Sequence, residues 1–333
     1  MTVRFSAVHQ VAEPEGMPAA EHFAFVTGEL PAPTAGTALV ENLYLSVDPY
    51  MRECMNGVWA LDSPLEGRSI GRVMASEDPR LAVGDLVFHR QGWRTHALVT
   101  GEEARVLPRH DGVPPSAYLS TLGGTGLSAY VALTRIARLE PGDSLYISAA
   151  AGGVGTAAGQ LARILGAGRL IGSAGSAAKV RHLVEDLGFD AAFDYHDGPV
   201  TELLAKAAPD GVDVCLENVG GEHLEAAIDA VRSHGRIVWC GAVSTYNDPG
   251  RPPAAPRNLY DVVGKSIRLE GFLVRNYPHL QEEMEERLVP HIRSGALVPD
   301  ETVADGFGRV VEAFLGMLRG ENTGKMIVRL ADA

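Results

Sequence analysis

The sequence is short of cysteine, of long apolar runs and of positive charge, and each shortage closes off a class of protein. Among 333 residues the cysteines are Cys54, Cys215 and Cys240, and the last two sit inside apolar runs that read as buried strands. They are too few and too scattered for a disulfide framework, so a reducing, cytoplasmic setting is expected. No stretch approaches the roughly 18 apolar residues of a membrane span, and the polar opening MTVRFSAVHQ lacks the apolar centre of a signal peptide. With 29 basic against 42 acidic residues the formal charge is -13, which argues against nucleic acid or an anionic membrane as partner, because either calls for a basic patch. Small ligands, neutral or carried by a cofactor, fit better.

What is present describes an ordinary globular chain: 46% hydrophobic and 21% charged residues, long enough for two domains at about 100 to 200 residues each. The first 120 residues give short alternating or β-branched runs, such as 37–47 and 85–99, between Gly and Pro clusters, the pattern of an antiparallel β domain. After Gly123-Gly124 the rhythm becomes strand, glycine, helix. Strands are expected at 144–150, 169–175, 191–195, 212–219 and 236–242, with helices at 154–167, 177–188, 201–208 and 222–235 between them. That alternation means right-handed crossovers and a parallel, doubly wound sheet, an α/β architecture. A further helix at 281–295 is expected to be interrupted at Pro290, and a strand in 321–330 to return to the first domain.

The strand SLYISAA runs into Gly152-Gly153-Val154-Gly155 and then a helix, which is where a dinucleotide fold seats a pyrophosphate. Glycines let the backbone approach the phosphates and let helix and strand pack closely, while the helix start supplies free N–H groups and partial positive charge. The second strand ends in Gly172-Ser173-Ala174-Gly175-Ser176, without the carboxylate that takes the adenine ribose diol of NAD. Its absence, with Lys179 and Arg181 just beyond, favours NADPH, although both cations also fit a solvated helix face.

LYLSVDPYMR (43–52), GGTGLSAYVAL (123–133), AAAGGVGTAAGQLARILG (149–166), AGSAAKV (174–180), ENVGG (217–221), CGAVSTYN (240–247), RLEGFLV (268–274) and ENTGKMIV (321–328) together resemble the medium-chain dehydrogenase/reductase superfamily over nearly the whole length. Within it the chain is similar to the zinc-free double-bond reductases, which include leukotriene B4 12-hydroxydehydrogenase/prostaglandin 15-keto reductases and NADP-dependent alkenal reductases. The resemblance implies a GroES-like catalytic domain over residues 1–122 with 299–333 and a Rossmann NADP-binding domain over 123–298. It implies cofactor contacts at Gly152, Gly153, Val154, Gly155, Lys179, Tyr195, Asn218, Cys240, Gly241, Ala242, Val243, Ser244, Thr245, Tyr246, Phe272, Leu273, Val274 and Asn322. Tyr195, Asn218 and Cys240 also lie at or just beyond the carboxyl ends of expected strands, where ligands of parallel sheets bind, although strand-end turns explain them as well. Ala177 and Ala178 stand where relatives often carry charged or longer polar residues.

Zinc-dependent members of the superfamily need Cys, His and Glu ligands, and this chain has no C-x-x-C pair. His89 and His96 lie on an apparent strand and read as surface or core residues, so no metal is expected. Reduction of an activated C=C needs none: hydride adds to the β-carbon of an α,β-unsaturated aldehyde or ketone, and a donor at the carbonyl oxygen stabilises the enolate. Tyr50 is the first candidate donor and Tyr260 the second; each could also be a tyrosine that packs its ring and satisfies its hydroxyl locally. An NADPH quinone oxidoreductase is the neighbouring reading, and a catalytically inactive NADPH-binding structural or sensor protein the reading from another class. The resemblance further implies a homodimer, with the substrate pocket lined by loops including 55–66 and 247–262.

Overall fold

The computed structural model describes residues 2–248 and 255–331. Residues 249–254 of the expected pocket loop, and Met1 and 332–333 of the expected catalytic domain, lie outside the described residues.

Two strands, β1 (Val3–Gln10) and β2 (Phe23–Leu30), pair antiparallel as a sheet of their own. The next five are β3 (Ala38–Ser46), β4 (Ser69–Ser76), β5 (Leu86–His89), β6 (His96–Val99) and β7 (Arg105–Val106), with the short helix α1 (Tyr50–Cys54) between β3 and β4. After α2 (Gly124–Val131) come β8 (Ser144–Ile147), α3 (Gly153–Ile164), β9 (Arg169–Ala174), α4 (Ala177–Arg181), β10 (Ala191–Asp194), α5 (Val200–Ala207), β11 (Val212–Glu217), α6 (Gly221–Ala230) and β12 (Val231–Trp239). The chain ends through α7 (Asp261–Gly264), β13 (Arg268–Gly271), α8 (Gln281–Ser294), β14 (Glu301–Asp305), α9 (Val310–Leu318) and β15 (Lys325–Arg329).

A six-stranded sheet runs in the order β10-β9-β8-β11-β12-β13, parallel throughout. Its inner strands β8, β9 and β11 are buried almost throughout because both faces are covered. Leu145, Ile147, Val214 and Leu216 point into one core with Leu161 and Leu288, whereas Tyr146 and Cys215, at the intervening positions, enter another with Leu204 and Leu224. A seven-stranded sheet joins β14 and β15 to β3, β4, β5 and β7, with β6 on the other side of β3. The last strand thus pairs antiparallel with β3, setting Val328 opposite Leu45.

Three local expectations change. The helix expected over 222–235 ends at Ala230, and the chain enters β12 at once through a bulge where the register against β11 slips between Val231 and Arg236. His234 takes φ +65 there, and a Cβ on Gly235 would meet Val231 Cγ1 at 2.4 Å, so the loop closes only on glycine. Helix α8 runs through Pro290 unbroken; the carbonyl that proline cannot bond is that of Glu286, which faces solvent. The run 85–99 divides into β5 and β6, which pair with β4 and β3 and not with each other.

Candidate active site

The order of strands reverses between β8 and β11, the switch point at which doubly wound sheets take ligands beyond their carboxyl ends. Behind β8 the backbone passes through Ala149 at φ +49 and enters α3 with Gly152 as its cap and no side chain capping that end. The first-turn N–H groups of Gly153, Val154 and Gly155 are left for an anion. A Cβ on Gly155 would lie 2.4 Å from the Ala150 carbonyl oxygen, so glycine is what lets helix and strand close up. The other glycines have a second constraint that sequence spacing does not reveal. Gly152 bridges Gly324 in the last part of the chain, whose N–H donates to Ala151 O at 2.8 Å, and a Cβ on Gly153 would meet Lys325 at 3.3 Å. The turn is packed against the neck of β15 as well as open to a phosphate, and its geometry fits a dinucleotide.

Residues 172–176, which end β9 and lead into α4, hold no carboxylate: Ser176 caps the helix, its hydroxyl accepting the Lys179 N–H at 3.3 Å. The Lys179 ammonium donates to Gly320 O at 2.5 Å, and burial lowers its pKa. Tyr195 closes the other side, its hydroxyl 3.0 Å from where a Cβ on Gly175 would sit. Arg181 is exposed.

The loops after β11 and β12 are laced together. Asn218 donates its backbone N–H to Ser148 Oγ and its side-chain amide to Ser148 O, each at 2.8 Å, so its amide ties two strand ends. Asn218 O accepts the Val243 N–H, Ser244 Oγ donates to Val219 O at 2.6 Å, and the Tyr246 hydroxyl accepts the Ala242 N–H at 3.4 Å. Cys240, Gly241 and Thr245 complete this half-buried loop. Beyond β13, Phe272 and Val274 pack on the main core while Leu273 points out, and Asn322 spends its amide on Gly324 O at 2.7 Å.

Facing these loops is α1. Arg52 is fully buried and donates to Asn247 Oδ1 at 3.2 Å, pinning the loop after β12 to the motif VDPYMR. Tyr50 packs its ring under the Arg68 guanidinium, 5.1 Å from the ring centre, and its buried hydroxyl has no hydrogen-bond partner among the described residues. Burial drives its pKa well above the ordinary phenol, with Arg68 opposing, so the phenol keeps its proton. Beneath it lies a buried charge cluster: Arg68 and Lys325 stand 3.3 and 3.4 Å from the Asp48 carboxylate, and Ser46 donates to that carboxylate at 2.6 Å. Arg68 abuts Gly124 and Thr125 abuts Gly153, so short contacts lead from the phenol to the glycine turn. Tyr260 is not brought here. It caps α7 at 80% exposure, beside Asn258, which is bonded to Glu225 and Asp229 on the outer helix α6.

Residues 7–107 match a family described as the N-terminal domain of oxidoreductases, and residues 153–294 one described as zinc-binding dehydrogenase. The chain is 36% identical to the NADP(+)-dependent 2-alkenal reductase of Nicotiana tabacum, over 92% of this chain and 91% of that one. It is 34% identical to the NADPH-dependent curcumin reductase of Escherichia coli, over 96% and 95%. The crystal structure of CurA from Vibrio vulnificus in complex with NADPH superposes with a TM-score of 0.92 at 31% identity, covering 98% of this chain and 100% of that one. The chain belongs to the NADP-dependent reductases of the medium-chain dehydrogenase/reductase superfamily.

Despite the word zinc in one family description, no group of three or more His, Cys, Asp or Glu among the described residues of this medium-chain reductase is placed to hold a metal ion. His89 is a core residue: fully buried beside Ser69, with Nδ1 accepting the Gln91 N–H at 3.2 Å and burial holding its pKa at about 3. His96 is half-buried beside Thr95. No helix among the described residues is long and apolar enough to cross a membrane. Asp48, Arg52, Arg68, Glu217 and Lys325 were not among the residues that motif spacing singled out. All but Arg68 lie inside segments that carry the family resemblance, and the further signal of Glu217 and Lys325 is charge where the neighbouring sequence is apolar, as in VCLEN and GKMIV.

Proposed function

We infer that the protein reduces the carbon–carbon double bond of α,β-unsaturated aldehydes and ketones with NADPH and without zinc. The observation that carries this reading is an uncapped, glycine-lined helix start joined by short contacts to the half-buried Tyr50, whose buried hydroxyl oxygen has no hydrogen-bond partner among the described residues. The relatives that act on alkenals and curcumin with NADPH support it. NADPH bound along the carboxyl ends of the sheet would supply the hydride for the β-carbon.

The chain's own residues do the rest. Gly153, Val154 and Gly155 present N–H groups to the pyrophosphate, and Lys179 with Tyr195 stands at the strand end for the 2′-phosphate. Asn218, Cys240, Gly241, Ala242, Val243, Ser244, Thr245, Tyr246, Phe272, Leu273, Val274 and Asn322 line the rest of the dinucleotide site. Tyr50, protonated at neutral pH, donates its free O–H to the substrate carbonyl and so stabilises the charge that develops on that oxygen. Its placement under Arg68 favours a build-up of negative charge nearby. Tyr260, 80% exposed, has no contact with the other site residues among the described residues and is left out of the site.

The two units are taken as 1–122 with 299–333 and 123–298. An exposed edge strand, β13, suits pairing across a two-fold axis into a homodimer, and three free cysteines suit a reducing cytoplasm. Oxidation of NADPH and NADH, followed by nicotinamide absorbance over a panel of enals, enones and quinones, tests the function. Enones and enals with NADPH should turn over fastest. Quinones outrunning them would make the protein a quinone reductase, and NADPH binding with no turnover on any member would make it a sensor or structural protein.

A further inference from the structure

Beneath the dinucleotide site lies a buried acid that the proposed reaction does not use. Glu217 ends β11 at the switch point and is fully buried. Its carbonyl accepts the Cys240 and Gly241 N–H groups at 2.8 and 3.3 Å, and its Oε1 accepts those of Val219 and Gly220 at 2.7 and 2.8 Å. The Ser148 hydroxyl, which holds the Asn218 N–H, lies beside the carboxyl and favours its charge. The loops leaving β8, β11 and β12 therefore meet on one residue, the β12 loop on its carbonyl and the β11 turn on its carboxyl. Gly220, at φ +78, packs on Ala242, so the turn held by Oε1 also sets the loop from Ala242 to Tyr246. Oε2 is buried with no hydrogen-bond partner among the described residues. A glutamine of the same shape would accept both N–H groups without a charge to bury, so holding the turn does not by itself account for a carboxyl here.

We propose that Glu217 is a positioning residue of the cofactor site whose charge discriminates between the two redox forms of the dinucleotide, favouring the cationic ring of NADP+ when ionised and the neutral ring of NADPH when protonated. The inference rests on the NADPH reading above. Burial raises the carboxyl to about 7 against the pull of the Gly220 and Val219 N–H groups and Ser148. The groups that face it stay fixed across that range. The Tyr146 phenol on β8 and the Cys215 thiol on β11 are pushed well up by burial and by Glu217 itself, and the Cys240 thiol after β12 to about 12. His223 on α6, which meets the Tyr146 hydroxyl at 3.3 Å, is held near neutral form by burial, at about 4. The 2′-phosphate is common to both dinucleotides and cancels in a ratio of affinities.

Fluorescence titrations of the purified full chain with NADPH and with NADP+ between about pH 6 and 8.5 read that ratio. The Kd for NADPH divided by the Kd for NADP+ should rise roughly threefold to tenfold with pH, the scale of one unit charge acting through protein. Its midpoint should lie at about 7. In Glu217→Gln the ratio should be flat. In Ser148→Ala the step should survive with its midpoint moved upward, because the lost hydroxyl no longer favours the carboxylate. A flat ratio in the unaltered protein, or the same step in Glu217→Gln, overturns the proposal and leaves the NADPH reading standing. Failure to bind either dinucleotide overturns both.

Discussion

Replacing Lys325 with Met keeps the length of the side chain while removing its charge and its donors, at a place where the consequences can be worked out. The ammonium is 4% exposed, donates to Val47 O at 2.5 Å and Met326 O at 2.8 Å, and stands 3.4 Å from Asp48. Breaking a buried pair by removing one partner costs about 3–5 kcal/mol when the other charge is left alone. Asp48 is not left alone, since Arg68 and Ser46 still reach it, so about 2–3 kcal/mol is expected. At about 2–4 °C per kcal/mol for units of this size, Tm should fall by roughly 4–12 °C. Thermal unfolding by circular dichroism measures this, and Asp48→Asn supplies the control. The single Asn variant leaves Lys325 and Arg68 without their anion; the double variant leaves no unmatched pair between 48 and 325. It should therefore be less damaged than the sum of the singles, by about 1–3 kcal/mol. The acid limb gives a second readout. Burial raises the Asp48 pKa, but the charges of Lys325 and Arg68 outweigh it and the net direction is down. A depressed carboxylate stabilises the fold above its unfolded value and loses that contribution as pH falls through its folded value. Lys325→Met should shrink this acid dependence. Additive single costs, or a Tm unchanged in Lys325→Met, would refute this coupling of Lys325 and Arg68 to Asp48.

Tyr50→Phe should lower kcat by about tenfold to a thousandfold with little change in NADPH affinity, the scale of removing one oxyanion donor; unchanged turnover on an enone would move that role elsewhere. Lys179→Ala should weaken NADPH by about 1.5–2 kcal/mol and leave NADH nearly untouched, the lower part of the range for a charged hydrogen bond because the ammonium gives up Gly320 O to make the contact. Equal losses in isothermal titrations with the two cofactors would sink the assignment. His182 bridges Asp186 at 2.8 Å and Asp300 at 3.0 Å; burial lowers its pKa, but the two carboxylates outweigh it and raise it overall. That contribution is complete below the unfolded value and fades as pH rises through the folded one, so His182→Gln should flatten stability between about pH 6 and 8 by under about 1 kcal/mol, read from urea midpoints.

The parallel sheet was legible because it is written locally. Leu145, Ile147, Val214 and Leu216 alternate with Tyr146 and Cys215, both sets apolar, and each strand is followed by a helix within a few residues. The bulge before Arg236 was not legible, because Ala226, Ala227 and Ile228 continue a helical pattern up to the point where tertiary pairing with β11 takes over. Tyr260 looked like a second donor from its neighbourhood in sequence, yet no periodicity in that Pro-rich stretch says which way the chain runs, and it lands on an outer helix. The charge cluster was invisible for another reason. Lys325 reaches Val47 across a separation of 278 residues, and no local rule joins a lysine in GKMIV to an aspartate in VDPYMR.

The same distances decide what the glycine turn is for. Gly324 hands its N–H to Ala151, Lys325 packs on Gly153, Lys179 holds Gly320 and Arg52 holds Asn247. Each contact joins a segment next to the six-stranded parallel sheet to a segment next to the seven-stranded sheet, and each falls at or beside a residue expected to touch the cofactor. The packing role and the binding role of these residues are thus not alternatives to be weighed. A ligand that takes the first-turn N–H groups of α3 sits against a backbone already braced by β15, and one that draws Lys179 from Gly320 loosens a tie between the units. Affinity for the dinucleotide and the relative placement of Tyr50 are therefore coupled through the same few contacts. A substitution at Arg52 or Lys325 should change both together, whereas one at Tyr50 should change the chemistry alone.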